Sequence, residues 1–174
     1  MTLFSKTNQL NPFFEDIMYL DFDYMNDSRD FSLNNQRFAK LPELIKQTKR
    51  DNHFRWTFIV DPVIEGFKDP AINPPFNDGY EKDVYIKWDK SVPKNQRYNP
   101  SSEPLDKDVF YGKLWPSAPV AFPDFFKNRT HEWWQKWILY FYNDLNIKFD
   151  ALWIVSQFYI SYDFSYLTFE LGHE

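Results

Sequence analysis

Proline sets the first limit on this fold. Ten of the chain's twelve prolines fall between Pro62 and Pro123, the other two being Pro12 and Pro42. Proline has no amide to donate to a sheet ladder and breaks a helix interior. The middle of the chain can therefore hold only short strands, such as Asp83-Val84-Tyr85-Ile86-Lys87. Long regular elements must come from its two flanks. Within this excursion, residues 89–107 are polar and proline-rich and read as a flexible insertion. A loop this long is unusual in a compact domain and is more often functional or disordered.

The flanks carry clear periodicities. Leu3 to Gln9 reads as one short helix, ended by Asn11-Pro12. Residues 16–23 read as a buried strand, with Ile17, Tyr19, Asp21 and Asp23 on one face and Met18, Leu20 and Phe22 on the other. A polar loop, Asn26 to Asp30, leads to a helix with Pro42 in its first turn and an apolar stripe of Leu41, Leu44, Ile45 and Thr48. A second strand runs from Arg55 to Asp61. After the excursion, Asn128 or Thr130 can cap a helix reaching about Leu145. Trp134, Trp137 or Ile138, Phe141 and Leu145 give that helix one buried face at helical spacing. Ala151 to Val155 is the third strand. Strands alternating with helices predict an α/β fold of parallel βαβ units, without internal repeats.

Composition narrows the function. A net charge of −5 argues against a nucleic-acid partner, which would need a basic face. No apolar run is long enough to span a membrane, and the first residues show no signal-peptide pattern. The chain has no cysteine, and His53, His131 and His173 lack metal-ligand spacing, so neither a metal nor another cofactor is expected. Asn26-Asp27-Ser28 and Asn128-Arg129-Thr130 fit the N-glycosylation pattern, which occurs often by chance.

In parallel α/β folds, sites form at the carboxyl ends of strands. Here those ends carry Asp21 and Asp61, with Trp115 and Trp153 available as flat walls. Carboxylates accept hydrogen bonds from sugar hydroxyls, and aromatic faces pack on the apolar side of a pyranose. The structural alternative stands beside it: strand-end Asp residues often cap a following turn, and Trp often fills core.

Several blocks, in order, resemble glycoside hydrolase family 31, the α-glucosidase family, over roughly residues 10–156. They include Asp21-Phe22-Asp23-Tyr24-Met25, Arg29-Asp30-Phe31, Phe58-Ile59-Val60-Asp61-Pro62-Val63-Ile64, Gly112-Lys113-Leu114-Trp115-Pro116, Ala121-Phe122-Pro123-Asp124-Phe125, Trp133-Trp134 and Asp150-Ala151-Leu152-Trp153-Ile154. The subgroup resembled is that of animal maltase-glucoamylase, sucrase-isomaltase and lysosomal α-glucosidase. The resemblance implies a partial (β/α)8 TIM barrel of about three parallel strands, with residues 1–156 as the N-terminal part of the catalytic domain and 157–174 as a divergent tail. It implies that Asp21 binds the sugar at subsite −1 with Phe22 beside it. Ile59, Trp115 and Trp153 would line that subsite, and Asp61 would organise it. The implied ligand is an α-glucoside or oligosaccharide, and the implied ancestor is secretory or lysosomal.

The departures are equally specific. In the family the strand reads Asp-Gly-(Leu/Met)-Trp-Ile-Asp-Met-Asn-Glu, and its second Asp is the nucleophile. This chain has Val155 there, followed by Ser156-Gln157-Phe158, with Ala151 and Ser117 where glycine is usual. Retaining glycosidases need a nucleophile and an acid/base about 5 Å apart. Asp150 lies roughly 16 Å back along an extended strand, and nothing favours Asp163. The family's acid/base, and the arginine and histidine that complete the subsite, come from later strands. Three readings follow: a barrel segment inactive alone, a carbohydrate-binding remnant without activity, or a non-functional or protein-interacting fragment. A barrel opened after three strands exposes sheet edges and apolar faces, so a partner chain is expected to be needed for stability.

Overall fold

The structure, a computed structural model, describes residues 16–66, 71–97, 106, 108–113 and 119–154. The expected helix at Leu3 to Gln9, the tail 157–174, Trp115 and Val155 lie outside these residues. In chain order the elements are β1 (Ile17–Leu20), α1 (Leu41–Asn52), β2 (Arg55–Ile59), β3 (Ile64–Glu65), α2 (Pro74–Glu81), β4 (Tyr111–Gly112), β5 (Val120–Ala121), α3 (Asn128–Asn143) and β6 (Ala151–Trp153). A 3₁₀ turn, Phe22–Tyr24, follows β1.

Strands β1, β2 and β6 form a parallel sheet in that order, with α1 and α3 on the crossovers. Chain order matches spatial order, as in the winding of a (β/α)8 barrel. The register sets Met18 beside Trp56, Leu20 beside Phe58, Phe58 beside Leu152 and Ile59 beside Trp153. Because side chains alternate along a strand, Met18, Leu20, Trp56, Phe58 and Leu152 share one face. That face meets the helices: Phe58 packs edge-on against Phe141 of α3 at 5.7 Å and against Tyr24 at 5.0 Å. Leu41 and Ile45 of α1, and Trp134, Ile138 and Phe141 of α3, are buried in the same core.

The opposite face of the sheet is open over its two outer strands, while Thr57 and Ile59 of the central strand are buried. Its members include Ile17, Tyr19 and Trp153, which are 52%, 61% and 42% exposed. The expectation of a buried β1 is therefore corrected. Among the described residues, β1 is an edge strand covered on its helix side alone, and its second apolar face meets solvent. β1 also ends at Leu20, because Asp21 turns the chain into the 3₁₀ turn.

The described residues of the proline-rich excursion are folded. β3, β5 and β4 form a small antiparallel sheet, and α2 begins on Pro74-Pro75, where a missing amide costs nothing in the first helical turn. Residues 83–87 do not form a continuous strand. Tyr85 and Lys87 make isolated bridges to Pro123 and Val109, and Pro123 cannot donate to a ladder. Residues 89–97, read from sequence as flexible, are pinned by Arg97. Its guanidinium donates to Val92 O at 3.0 Å and pairs with Asp108 at 2.5 Å, and its side chain is only 6% exposed. Trp133 Nε1 donates to Pro75 O at 3.2 Å and Trp137 Nε1 to Asp78 at 2.9 Å, which ties α2 to α3. Neither Asn128 nor Thr130 caps α3. The cap position is Lys127, and the buried Thr130 hydroxyl instead donates to Val84 O at 3.3 Å.

Candidate functional site

Parallel pairing puts the carboxyl ends of β1, β2 and β6 on one edge, and with them Asp21, Asp61 and Trp153. Asp21 is exposed, and one of its oxygens accepts the Phe22 amide at 2.8 Å. It thus does cap a turn, as the structural alternative holds, while its position on the edge leaves it reachable by a ligand. Phe22 is half-buried and packs against the core. Ile59 is buried at the end of β2, in register with Trp153. The Trp153 ring meets Tyr19 edge-on at 6.2 Å, so the two form an aromatic strip across the open face.

Asp61 is 2% exposed, and its Oδ1 has no hydrogen-bond partner among the described residues. Burial, and secondarily the negative charge of Asp21, push its pKa up to about 6. Two further groups complete the cluster, and both come from the loop after β1. The Asp61 amide donates to Asp30 Oδ1 at 3.0 Å, and the Tyr24 hydroxyl donates to Ile59 O at 2.6 Å. Burial raises Asp30 well above the usual carboxyl range, and the Asp61 charge adds to this. The bond from the Asp61 amide works the other way. Tyr24 is raised by its own burial and then by Asp30, Asp61 and Asp21. Near neutral pH Asp61 is therefore largely ionised, beside an Asp30 that holds its proton more tightly than an ordinary carboxyl. Below about pH 6 Asp61 also becomes a donor.

Reading the sequence singled out Asp21 and Asp61 but gave Tyr24 and Asp30 no role. Both lie in the quoted blocks Asp21-Phe22-Asp23-Tyr24-Met25 and Arg29-Asp30-Phe31, and that is the one signal that pointed to them. Arg29 pairs with Asp27 at 3.1 Å and approaches the buried Glu65 at 3.8 Å.

Asp150 belongs to the opposite end of the sheet. It accepts the Trp56 amide at 2.9 Å, pairs with Lys49 at 2.7 Å and reaches Arg55 at 3.3 Å. This carboxylate staples the start of β6 to β2 and α1 and stands away from the strand-end edge. A groove of about 420 Å³ also lies elsewhere, between β1 and α1, lined by Met18, Leu20, Phe38, Leu41, Leu44 and Trp56. Among the described residues no group of three or more His, Cys, Asp or Glu could hold a metal, and no helix is long and apolar enough to cross a membrane.

Comparison with known proteins agrees with this fold. The model for the glycosyl hydrolases family 31 TIM-barrel domain matches residues 7–160. Intestinal sucrase-isomaltase of Oryctolagus cuniculus is 33% identical over 159 residues, a match covering 80% of this chain and 8% of that protein. Probable maltase-glucoamylase 2 of Homo sapiens is 35% identical over 164 residues, covering 80% of this chain and 6% of that protein. The chain thus spans less than a tenth of the length of either relative. Among solved structures, the glucosidase II alpha subunit bound to alpha3-Glc2 matches with a TM-score of 0.58 at 20% identity, covering 80% of this chain and 13% of that one. That likeness concerns the fold alone.

Proposed function

The chain belongs to glycosyl hydrolase family 31, and from that membership we propose that it carries the first, sugar-recognising part of an α-glucosidase barrel without the means to cleave a glycoside alone. The observation that carries this reading is the convergence of Asp21, Asp61 and Trp153 on one strand-end edge. The ligand is a terminal α-glucoside of an oligosaccharide. Asp21 accepts sugar hydroxyls, Trp153 presents apolar surface to the ring with the buried Ile59 beneath the subsite, and Asp61 organises the edge from beneath. Trp115 and Phe22 belong to the same subsite by their place in the family's blocks.

Cleavage fails for a chemical reason. Retaining hydrolysis needs a carboxylate to attack the anomeric carbon and a second to protonate the leaving oxygen. Position 155 is valine in this chain, and a hydrocarbon side chain cannot form the glycosyl-enzyme bond. Asp150 cannot substitute, because it is engaged at the far end of β6 by Lys49 and the Trp56 amide. These 174 residues taken alone should release no glucose from maltose or an aryl α-glucoside above the buffer rate. Turnover that Asp163→Asn abolishes would overturn the assignment. Val155→Asp alone should not restore activity, since the acid/base is supplied in this family from later strands.

The open sheet face favours a second role for the same edge. Ile17, Tyr19 and Trp153 are apolar side chains left to solvent, and β1 and β6 are edge strands among the described residues. Such a surface suits completion by further strands, from a partner chain or from elsewhere in the protein.

A further inference from the structure

We propose that Asp30 is a positioning residue: its buried carboxyl group receives the Asp61 amide and thereby aims the Asp61 carboxyl at the strand-end edge. The inference rests on the sugar-site reading for what Asp61 serves, but not for how Asp61 is held.

The need for such a residue follows from where the ladder stops. The Val60 amide still donates to Trp153 O at 3.0 Å. Amides of consecutive strand residues face opposite neighbours. The amide of the buried Asp61, like that of Arg55 with Asp16 O, therefore faces the β1 side. There β1 has ended at Leu20, and no strand lies beside it among the described residues. A buried amide must find an acceptor. Asp30 supplies it from another element at 3.0 Å, and Tyr24 fixes the preceding turn of chain through Ile59 O at 2.6 Å. Two side chains of the loop after β1 therefore hold the end of β2 on either side of Val60.

That loop is itself rigidly built. The Asn34 amide donates to Tyr24 O at 2.8 Å, the Ser32 hydroxyl donates to Arg29 O at 2.5 Å, and the Asn26 amide donates to Ser32 Oγ at 2.9 Å. Phe31, beside Asp30, sits in the left-handed region at φ 57°, which disfavours a bulky residue. Its buried ring, 5.1 Å edge-on from Trp134, keeps it there. Burial and the neighbouring Asp61 charge raise Asp30 well above the ordinary carboxyl range, and a carboxyl oxygen can accept the Asp61 amide in either protonation state. The other titratable groups acting on this cluster are Tyr24 and Asp21.

Amide hydrogen exchange on the full chain tests this, with the Val60 amide as internal control. Asp30→Leu should speed exchange at Asp61 about tenfold relative to Val60, the scale of a lost buried hydrogen bond. Asp30→Asn keeps a carbonyl acceptor and should hold Asp61 within about threefold of wild type on the same scale. Should Asp30→Leu not fold, Asp30→Ala takes its place. In a parallel maltose titration read at the Trp153 indole, Asp30→Asn should bind like wild type and Asp30→Leu about tenfold more weakly. Unchanged Asp61 exchange in Asp30→Leu, or equal acceleration in Asp30→Asn, overturns the proposal. So does equal maltose binding by wild type and Asp30→Leu. If wild type binds no maltose while the exchange pattern holds, the sugar-site reading fails and the hold of Asp30 on Asp61 stands.

Discussion

Replacing Asp61 by Asn should stabilise the fold at neutral pH far more than in acid. Asp61 is buried, and its carboxyl is moved from 3.8 in the unfolded chain to about 6 in the fold. The sign follows from proton linkage. Below about pH 4 both states hold the proton, and Asp61 adds no pH dependence. Between 3.8 and about 6 the folded state keeps a proton that the unfolded state has released, so stability falls as pH rises. Above that window the fold carries the full cost of a buried charge, about 3 kcal/mol at 1.36 kcal/mol per pH unit. From pH 4 to 7.5 the difference is about 2 kcal/mol, because a little is already lost at pH 4. Asn cannot ionise and avoids this term. Its buried amide adds a cost that does not depend on pH and cancels when the two pH values are compared. Urea unfolding of wild type and Asp61→Asn at pH 4 and 7.5 should show the variant gaining about 2 kcal/mol on wild type between them. A gain under about 0.5 kcal/mol would show that Asp61 is not desolvated by this fold and would refute the buried cluster.

Two further substitutions test the scaffold. Gly79→Ala would set a Cβ 2.6 Å from Tyr85 Oη and 2.9 Å from Val84 Cγ2, and should cost about 1–3 kcal/mol in urea unfolding; a neutral result would place α2 farther from residues 84–85. Asp150→Ala strips the acceptor from the Trp56 amide and the partner from Lys49. It should cost about 1–3 kcal/mol, toward the low end because Lys49 is partly solvated, with Trp56 amide exchange rising in step; protection unchanged at Trp56 would contradict the staple.

Periodicity made the parallel sheet and its crossover helices legible, because Leu41, Ile45, Trp134, Ile138 and Phe141 repeat at helical spacing and are buried. It misjudged β1, since the alternating apolar residues Ile17 and Tyr19 look the same whether or not strands cover them. The excursion misled for a related reason. Proline density forbids long ladders, yet it permits α2 to start on Pro74-Pro75 and two-residue strands to pair. Arg97 could not be foreseen as an anchor, because its partners at Val92 and Asp108 are fixed by tertiary approach. At the site, Asp21 and Asp61 were visible as strand-end acids. The acceptor role of Asp30 needed the geometry, since it spans 31 residues of sequence to reach the Asp61 amide.

A sugar-recognising edge at the strand ends has a direct spectroscopic signature. Nitrogen-proton spectra of the Trp153 indole should shift saturably as maltose is added to the full chain, and Asp21→Ala should abolish that shift while leaving the spectrum folded. No saturable shift in wild type, or the same shift in Asp21→Ala, would contradict the claim.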